Sequence, residues 1–179
     1  YEFVQSIFDG IFEGIKIKNI GDNAFTSSNF SGSLSLPACT VIGYAAFFFS
    51  DFIGELSLPA CEYIDSGAFY ASNFSGSLNL PVCEYIGGGA FYNSNFSVSL
   101  SLPSCTFIGG AAFFNSNFSG ELSLPSCTFI SYNAFLNSNF TQITIGANAE
   151  LYSNCIGAHS AEFIDDYASN NKKAGTYVW

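Results

Sequence analysis

The chain has 179 residues, a formal net charge of −10 and a hydrophobic fraction of 49%, while charged residues make up only 10%. A chain of this length and apolar content can bury a core, which excludes a disordered protein. Only four residues are Lys or Arg, too few to neutralise a row of phosphates, so we expect no nucleic-acid partner. No run of about 18 apolar residues occurs, and we expect no membrane insertion.

The N-terminal segment Tyr1–Gly14 is predicted to close the first end of the fold. The chain starts at Tyr1, contains no Met and has no basic stretch followed by an apolar one, so we expect a mature or excised segment whose signal and anchor lie outside it. The closing role is predicted from its apolar residues, Phe3, Val4, Ile7, Phe8, Ile11 and Phe12.

A repeat with a period of 22 residues follows. Proline recurs at this step at Pro37, Pro59, Pro81, Pro103 and Pro125. Cysteine keeps the same step at Cys39, Cys61, Cys83, Cys105 and Cys127. Five such units run from about Leu34 to Phe140, and a degenerate unit, Ile15–Phe25, precedes them with Ile17 in place of the cysteine. After Phe140 the spacing slips by one, so Ile143 and Ile145 take the leucine positions.

A fixed period near 20–25 residues predicts a solenoid in which each unit is one coil stacked on the next. The L-x-L-P element is the only strand-like piece, and its two leucines point inward. The other inward positions of one unit are Cys83, Ile86, Ala90, Phe91 and Phe96. Polar rows of Ser and Asn are expected to satisfy backbone groups at turns. Gly21, Gly43, Gly87 and Gly109 indicate a turn with positive φ after the inward Ile.

The segment Leu100–Phe113 shows the pattern L-x-L-P-x-C-x-x-I-G-x-x-A-F. This pattern resembles the BspA-like leucine-rich repeats, also called leucine-rich repeat type 5, from about Ile15 to Ile145. The resemblance implies a bacterial surface or secreted protein, in some members an adhesin, with no catalytic motif. Two departures stand out. Ser94 occupies a position where the family often has Cys, and the second exposed residue after each repeat cysteine is often aromatic.

The tail predicts a short capping helix over Ser160–Ser169, with Ser160 as its N-cap. We expect this helix to cover the last open coil. The predicted fold is thus a single α/β-type leucine-rich-repeat solenoid, mostly strand and turn, with short parallel strands. Its parts are an N-terminal cap with the degenerate repeat (1–24), the repeats (25–146) and a C-terminal cap (147–179).

The cysteines do not have the paired spacing of a zinc site. The five repeat cysteines are predicted to be buried free thiols that fill the core, while the state of Cys155 stays open. His159 is the one histidine, and nothing fixes a catalytic partner for it. The scattered acids lack the density of a calcium loop. We therefore predict no catalytic residue, no metal and no cofactor.

The most informative surface feature is aromatic. By alternation, the residue before each inward Ile faces outward, which predicts an exposed row at Tyr63, Tyr85, Phe107 and Phe129, with Val41 before it. Exposed aromatic rows are typical of protein or glycan contacts. The alternative is that rings on neighbouring coils shield one another, and for a second row of Phe48, Tyr70, Tyr92 and Phe114 we favour that interpretation.

These observations predict a non-catalytic binding or adhesion module, located outside the cell or on a bacterial surface. Its partner would be a host extracellular-matrix protein, another cell-surface protein or a glycan, bound through the first aromatic row. The Ser-rich outer face of the L-x-L strands lacks the aromatic and Arg residues of a strong contact site. The alternative function is a rigid spacer within a larger surface protein.

Overall fold

The structure is a computed structural model that describes residues 11–12 and 15–179. The predicted N-terminal closing segment, Tyr1–Gly14, therefore lies outside the described residues, apart from strand β1 (Ile11–Phe12). β1 pairs in antiparallel orientation with β2 (Ile15–Lys16). From residue 19 onward the chain forms a parallel solenoid, as the repeat predicts.

The L-x-L elements form parallel strands, as predicted. They fall into two sheets. The first contains β4 (Gly32–Ser35), β6 (Phe52–Ser57) and β8 (Leu78–Asn79), and the second contains β10 (Leu100–Ser101), β12 (Ser119–Leu124) and β14 (Asn139–Ile145). The C-terminal strand β16 (Gly175–Val178) joins the edge of the second sheet in antiparallel orientation. The predicted slip of one residue is confirmed, because Leu122 pairs with Ile143 and Leu124 with Ile145 across a bulge.

A further parallel sheet of seven strands corrects the expectation that L-x-L is the only strand-like piece. Seven two-residue strands stack in order as β3 (Asn19–Ile20), β5 (Val41–Ile42), β7 (Tyr63–Ile64), β9 (Tyr85–Ile86), β11 (Phe107–Ile108), β13 (Phe129–Ile130) and β15 (Glu150–Leu151). Every neighbouring pair is parallel, with Tyr63 opposite Tyr85, for example. In a two-residue strand one side chain points in and one points out, which is too short a pattern for alternation to signal a strand.

Stacked phenylalanines form the centre of the core. Phe47, Phe69, Phe91, Phe113 and Phe135 are fully buried. Their ring centroids lie 4.9–5.3 Å apart along the solenoid, with neighbouring ring planes within 10° of parallel. A second buried column, Phe52 to Phe140, meets the first edge to face. Such pairs stabilise a fold beyond the area they bury, and each coil gains them only from its neighbours.

The serine row performs the predicted turn role from inside the core. Ser50, Ser72 and Ser116 are buried. Their hydroxyls donate to the phenylalanine carbonyls 25 residues earlier, at distances of 2.8–3.0 Å. Each of these three hydroxyls therefore satisfies a main-chain oxygen of the preceding coil. In the same row the buried hydroxyls of Ser94 and Ser138 have no hydrogen-bond partner.

The prediction of positive φ at the glycine row is wrong. Left-handed backbone occurs two residues later, at Ala45, Gly67, Gly89 and Ala111, with φ of 50–64°. The glycine after the inward Ile is needed instead because the main chain of the preceding coil approaches it closely. A Cβ on Gly87 would lie 2.5 Å from the amide nitrogen of Ser66 in the preceding coil.

The C-terminal helix α1 (Ser160–Ser169) covers the last coil, as predicted. Its Phe163 and Tyr167 are buried. The Tyr167 hydroxyl donates to the Gly146 carbonyl (2.7 Å) and accepts from the Ala149 amide (2.9 Å). Strand β16 then pairs in antiparallel orientation with β14 and covers the edge of the L-x-L sheet, an element that the sequence analysis did not predict.

Ser160 is not the N-cap of α1. The residue before the helix is His159, which makes no side-chain capping bond. Ser160 is instead buried inside the first turn, where its hydroxyl accepts from the Ile156 amide and donates to the Gly157 carbonyl, both at 2.9 Å. The hydroxyl satisfies the tight turn that leads into the helix rather than the helix end.

All six cysteines are buried and unpaired, which confirms the prediction for the five repeat cysteines and adds Cys155 to them. The thiols of Cys61 and Cys83 donate to the main-chain carbonyl two residues on, at 3.4 Å. Burial raises the pKa of Cys127 to about 11 and the pKa values of Cys61 and Cys155 to about 12. The repeat cysteines therefore stay neutral in the folded protein.

Tyr167→Phe tests the attachment of the cap. Removing this hydroxyl leaves the Ala149 amide and the Gly146 carbonyl buried without their partner, so we expect a loss of about 1–3 kcal/mol in the free energy of unfolding. Denaturant unfolding followed by circular dichroism measures it. Tyr152→Phe is the control, since that hydroxyl bonds only to the exposed Glu150, and its effect should stay within about 0.5 kcal/mol. Equal losses in the two variants would contradict this account.

Buried thiols also make the fold sensitive to alkali. Their folded pKa values exceed the unfolded value near 8.5, so their contribution is complete below about pH 8.5 and is lost as the pH rises towards 11. Within that window each thiol lowers the free energy of unfolding by up to about 1.4 kcal/mol per pH unit. The double variant Cys61→Ala/Cys127→Ala should have a correspondingly shallower slope in denaturant unfolding between pH 8.5 and about 10.5. Parallel slopes would show that these thiols do not control alkaline unfolding.

Candidate binding surface

The predicted contact residues lie together on the outer face of the seven-stranded sheet. Tyr63, Tyr85, Phe107 and Phe129 occupy neighbouring strands in register, and we call them the first aromatic row. Their ring centroids are 4.5, 4.7 and 4.8 Å apart, and adjacent ring planes differ by only 4–5°. The spacing follows from the parallel ladder, which sets neighbouring strands about 4.8 Å apart.

Stacking decides which part of each ring faces solvent. Tyr63 is 36% exposed, whereas Tyr85, Phe107 and Phe129 are half-buried. Because each inner ring has another ring against its face, the accessible part is the ring edge. The outward direction predicted from the sequence is confirmed, and the mutual shielding weighed as the alternative is present as well. Whether this row binds a partner stays a prediction.

The row carries two phenols in its first half. Burial, followed by the Asp65 carboxylate and the neighbouring Tyr85, raises the pKa of Tyr63. Asp65 is half-buried in the turn after β7, where its side chain accepts from the Ser66 amide. The Tyr63 phenol therefore stays neutral at physiological pH and can donate a hydrogen bond to a partner.

The second aromatic row also stacks. Phe48, Tyr70, Tyr92 and Phe114 have centroids 4.8, 4.5 and 4.7 Å apart. The Tyr70 ring lies against Gly89 of the next coil, where an added Cβ would be 3.6 Å from the ring. All four rings are half-buried. Their packing over the turn agrees with the shielding role favoured for this row.

A strip of small residues separates the two rows, and the sequence analysis missed it. On three consecutive coils the outward position three residues after the first row carries Ser66, Gly88 and Gly110. Exposed tyrosines bound the strip at its two ends, Tyr44 at 53% and Tyr132 at 54% exposure. The sequence alone could have revealed this strip, because its positions recur with the period of 22 residues. On these three coils the strip carries no large side chain beside the first row. At the end of the row Phe129 contacts Tyr152, which also packs on Tyr132. We call the four stacked rings of the first row the ridge.

Charge is distributed unevenly along the chain. The four Lys and Arg residues are all lysines near the two ends of the sequence, Lys16, Lys18, Lys172 and Lys173, and no Lys or Arg lies between Lys18 and Lys172. Glu62 and Glu84 are exposed and immediately precede Tyr63 and Tyr85. On the later strands the equivalent residues are Thr106 and Thr128. The ridge is therefore acidic beside Tyr63 and Tyr85 and uncharged beside Phe107, and the exposed Glu150 lies in register with Phe129 on the next strand.

The remaining candidates show no comparable arrangement. The outer side of the L-x-L strands is small and polar, with Asn79 donating to Ser57 across strands (3.3 Å). His159 lies 3.3 Å from Glu162 and packs on Trp179. Among residues 11–12 and 15–179 no group of three or more His, Cys, Asp or Glu side chains is placed to hold a metal ion. In the same described residues no helix has the length and hydropathy needed to cross a bilayer.

Comparison with known proteins agrees with the repeat geometry. The family model for the BspA type leucine-rich repeat region matches in six copies, over residues 3–96 and 40–162. A search of curated proteins finds no significant match. The matched residues cover the strands β1 to β15, the cysteine row and the aromatic rows described above. The chain therefore belongs to the BspA-type leucine-rich repeat family, a group of repeat domains that are generally non-catalytic and often surface-related.

Proposed function

We propose that this chain is a non-catalytic binding or adhesion module of a bacterial cell-surface or secreted protein. The observation that carries the proposal is the first aromatic row, a ridge of four stacked rings on four adjacent strands. A contiguous row of partly exposed rings is a candidate contact surface, because monomers seldom display large contiguous apolar patches. Membership of a family whose members are typically found on bacterial surfaces supports the proposed location.

The geometry supports recognition by repeated contacts. Each ring is held in place by its neighbours and by the sheet beneath it, so little side-chain freedom is lost on binding. Aromatic residues supply large and rigid contact area at interfaces, and tyrosine adds a hydroxyl. The partner classes that fit are a host extracellular-matrix protein, another cell-surface protein or a glycan.

The alternative is a rigid spacer within a larger surface protein. The observation that favours it is the same stacking, since rings that shield one another stabilise the solenoid without any partner. The two functions differ in what an altered row changes. When the row is altered, a spacer loses only folding stability, whereas a binding module loses affinity for its partner.

Tyr85→Ser/Phe107→Ser separates these functions. A screen of extracellular-matrix proteins and a glycan array first identify a partner, and affinity and thermal midpoint are then measured together. Truncating aromatic anchors at an interface typically costs about 2 kcal/mol or more, so we expect binding to weaken at least about 30-fold. The thermal midpoint should fall only modestly, because half-buried rings contribute less to folding than core rings.

The matched control is Tyr92→Ser/Phe114→Ser, which removes the same pair of ring types from the second aromatic row. We expect this control to lower the thermal midpoint to a similar extent and to leave affinity within about twofold. A folded Tyr85→Ser/Phe107→Ser variant with unchanged affinity would remove the first row as the contact site. Failure of the wild-type chain to bind any partner in the screen would favour the spacer.

A further inference from the structure

We infer that the partner is a protein that lays an extended segment along the first aromatic row, with basic residues facing Glu62 and Glu84 and apolar residues facing Phe107 and Phe129. This inference rests on the proposed function, because it names the chemistry that the same row would recognise. Three observations carry it: the covered ring faces, the unpaired carboxylates and the change in chemistry along the row.

Covered ring faces argue against a glycan. A sugar packs its C–H bonds against the negative face of an aromatic ring. In this row the faces are occupied, because Tyr63, Tyr85 and Phe107 stack on one another at 4.5–4.7 Å with nearly parallel planes. What remains is a line of ring edges, whose hydrogens carry partial positive charge and attract the carbonyl oxygens and aromatic faces of a polypeptide.

Two carboxylates border the first half of the row without any charge to balance them. Glu62 and Glu84 lie on adjacent strands, where the Glu84 amide donates to the Glu62 carbonyl at 2.9 Å. Within residues 11–12 and 15–179 the one ion pair joins His159 and Glu162, and no side-chain hydrogen bond reaches either carboxylate. Their main chains lie about one strand spacing apart, and both side chains are exposed. A Lys or Arg side chain above these two strands meets two unpaired carboxylates of opposite charge.

The second half of the row has a different chemistry. Thr106 and Thr128 replace the glutamates, and their hydroxyls donate to the main-chain carbonyls of Glu84 and Thr106 at 3.1 Å. Phe107 and Phe129 replace the tyrosines and have no hydroxyl. This half therefore offers the edges of two phenylalanine rings, which favours apolar side chains. It ends at Glu150, the register partner of Phe129, whose carboxylate accepts from the Tyr152 hydroxyl at 2.8 Å. The order along the row, two unpaired carboxylates with two phenols first and two phenylalanines second, sets the direction of the bound segment.

The overall charge points to the same class of partner. Between Lys18 and Lys172 the chain has eleven acidic residues and no Lys or Arg, part of a net charge of −10. Such a surface repels polyanions, including sulfated and sialylated glycans, and accelerates the approach of a cationic segment.

The test uses a synthetic octapeptide, Lys-Thr-Lys-Thr-Leu-Thr-Leu-Thr, acetylated and amidated, with a second peptide in which Glu replaces Lys. Each is titrated to about 5 mM into the isotopically labelled chain, a range that reports weak binding. Chemical shifts give both the dissociation constant and the residues affected. We expect the lysine peptide to shift the amides of strands β7, β9 and β11, and the glutamate peptide to shift none of them. Cellohexaose serves as the neutral glycan and should not bind.

Two double variants localise the charge effect. Glu62→Gln/Glu84→Gln removes the carboxylates beside the row, and Glu55→Gln/Glu121→Gln removes two exposed carboxylates from the L-x-L strands. The net charge is the same in both variants, and a glutamine at 121 still accepts from Gln142, the partner of Glu121. We expect the first variant to weaken lysine-peptide binding about fivefold and the second less than twofold.

Each outcome has one interpretation. Equal weakening by the two variants would show general charge attraction and overturn the inference, as would no binding of the lysine peptide. Binding of cellohexaose that Tyr85→Ser/Phe107→Ser abolishes would also overturn it while leaving the proposed function intact. If a partner found by screening binds that aromatic variant as well as it binds the wild-type chain, the proposed function itself fails, whatever the peptide does.

Discussion

The spacing between parallel strands is the constraint on which the rest of this structure depends. Main-chain hydrogen bonds hold each coil about 4.8 Å from the next, and a period of 22 residues places the same side chain at the same position on every coil. Two flat rings at that distance are in contact. The buried phenylalanines, the two surface rows and the serine hydroxyls therefore interact between coils for one reason. A repeated sequence therefore places identical side chains in stacks along the solenoid.

The same constraint explains which residues the coil accepts. A position that points along the solenoid axis has almost no room, and Gly87 shows this because a Cβ there would collide with the Ser66 amide. A position that points outward is free to vary, and one such position carries Tyr44, Ser66, Gly88, Gly110 and Tyr132 on successive coils. Surface chemistry can thus change from coil to coil above a constant core. The transition from Glu62 and Glu84 to Thr106 and Thr128 is a case of that freedom.

Much of the fold could be predicted from the sequence, because it follows from periodicity. The L-x-L strands, the buried cysteines and helix α1 all carry strong local patterns. The seven-stranded sheet could not be predicted in this way, since a strand of two residues has no alternation to detect. Ser160 was wrongly predicted as the N-cap because a serine at the start of a helix fits that role by residue type. Its hydroxyl instead bonds within the preceding turn, and the residue type alone does not distinguish the two roles. For the candidate site, the outward direction of Tyr85 follows from alternation. Its half-burial depends on the ring of the next coil, which only the three-dimensional spacing supplies.

The position of Trp179 gives the molecule two separate optical signals. It is the single tryptophan, and its indole donates to the Phe140 carbonyl at 2.7 Å while its ring packs near Phe163 of the cap. Stacked tyrosines such as Tyr63 and Tyr85 lie on the coils instead. Indole fluorescence therefore reports release of the cap, whereas the near-ultraviolet dichroism of the tyrosines combines the stacked rings of the coils with Tyr167 and Tyr177 of the cap. Because a solenoid is stabilised chiefly by neighbouring units, the two signals need not change together. Their comparison would show whether this chain opens from its C-terminal end.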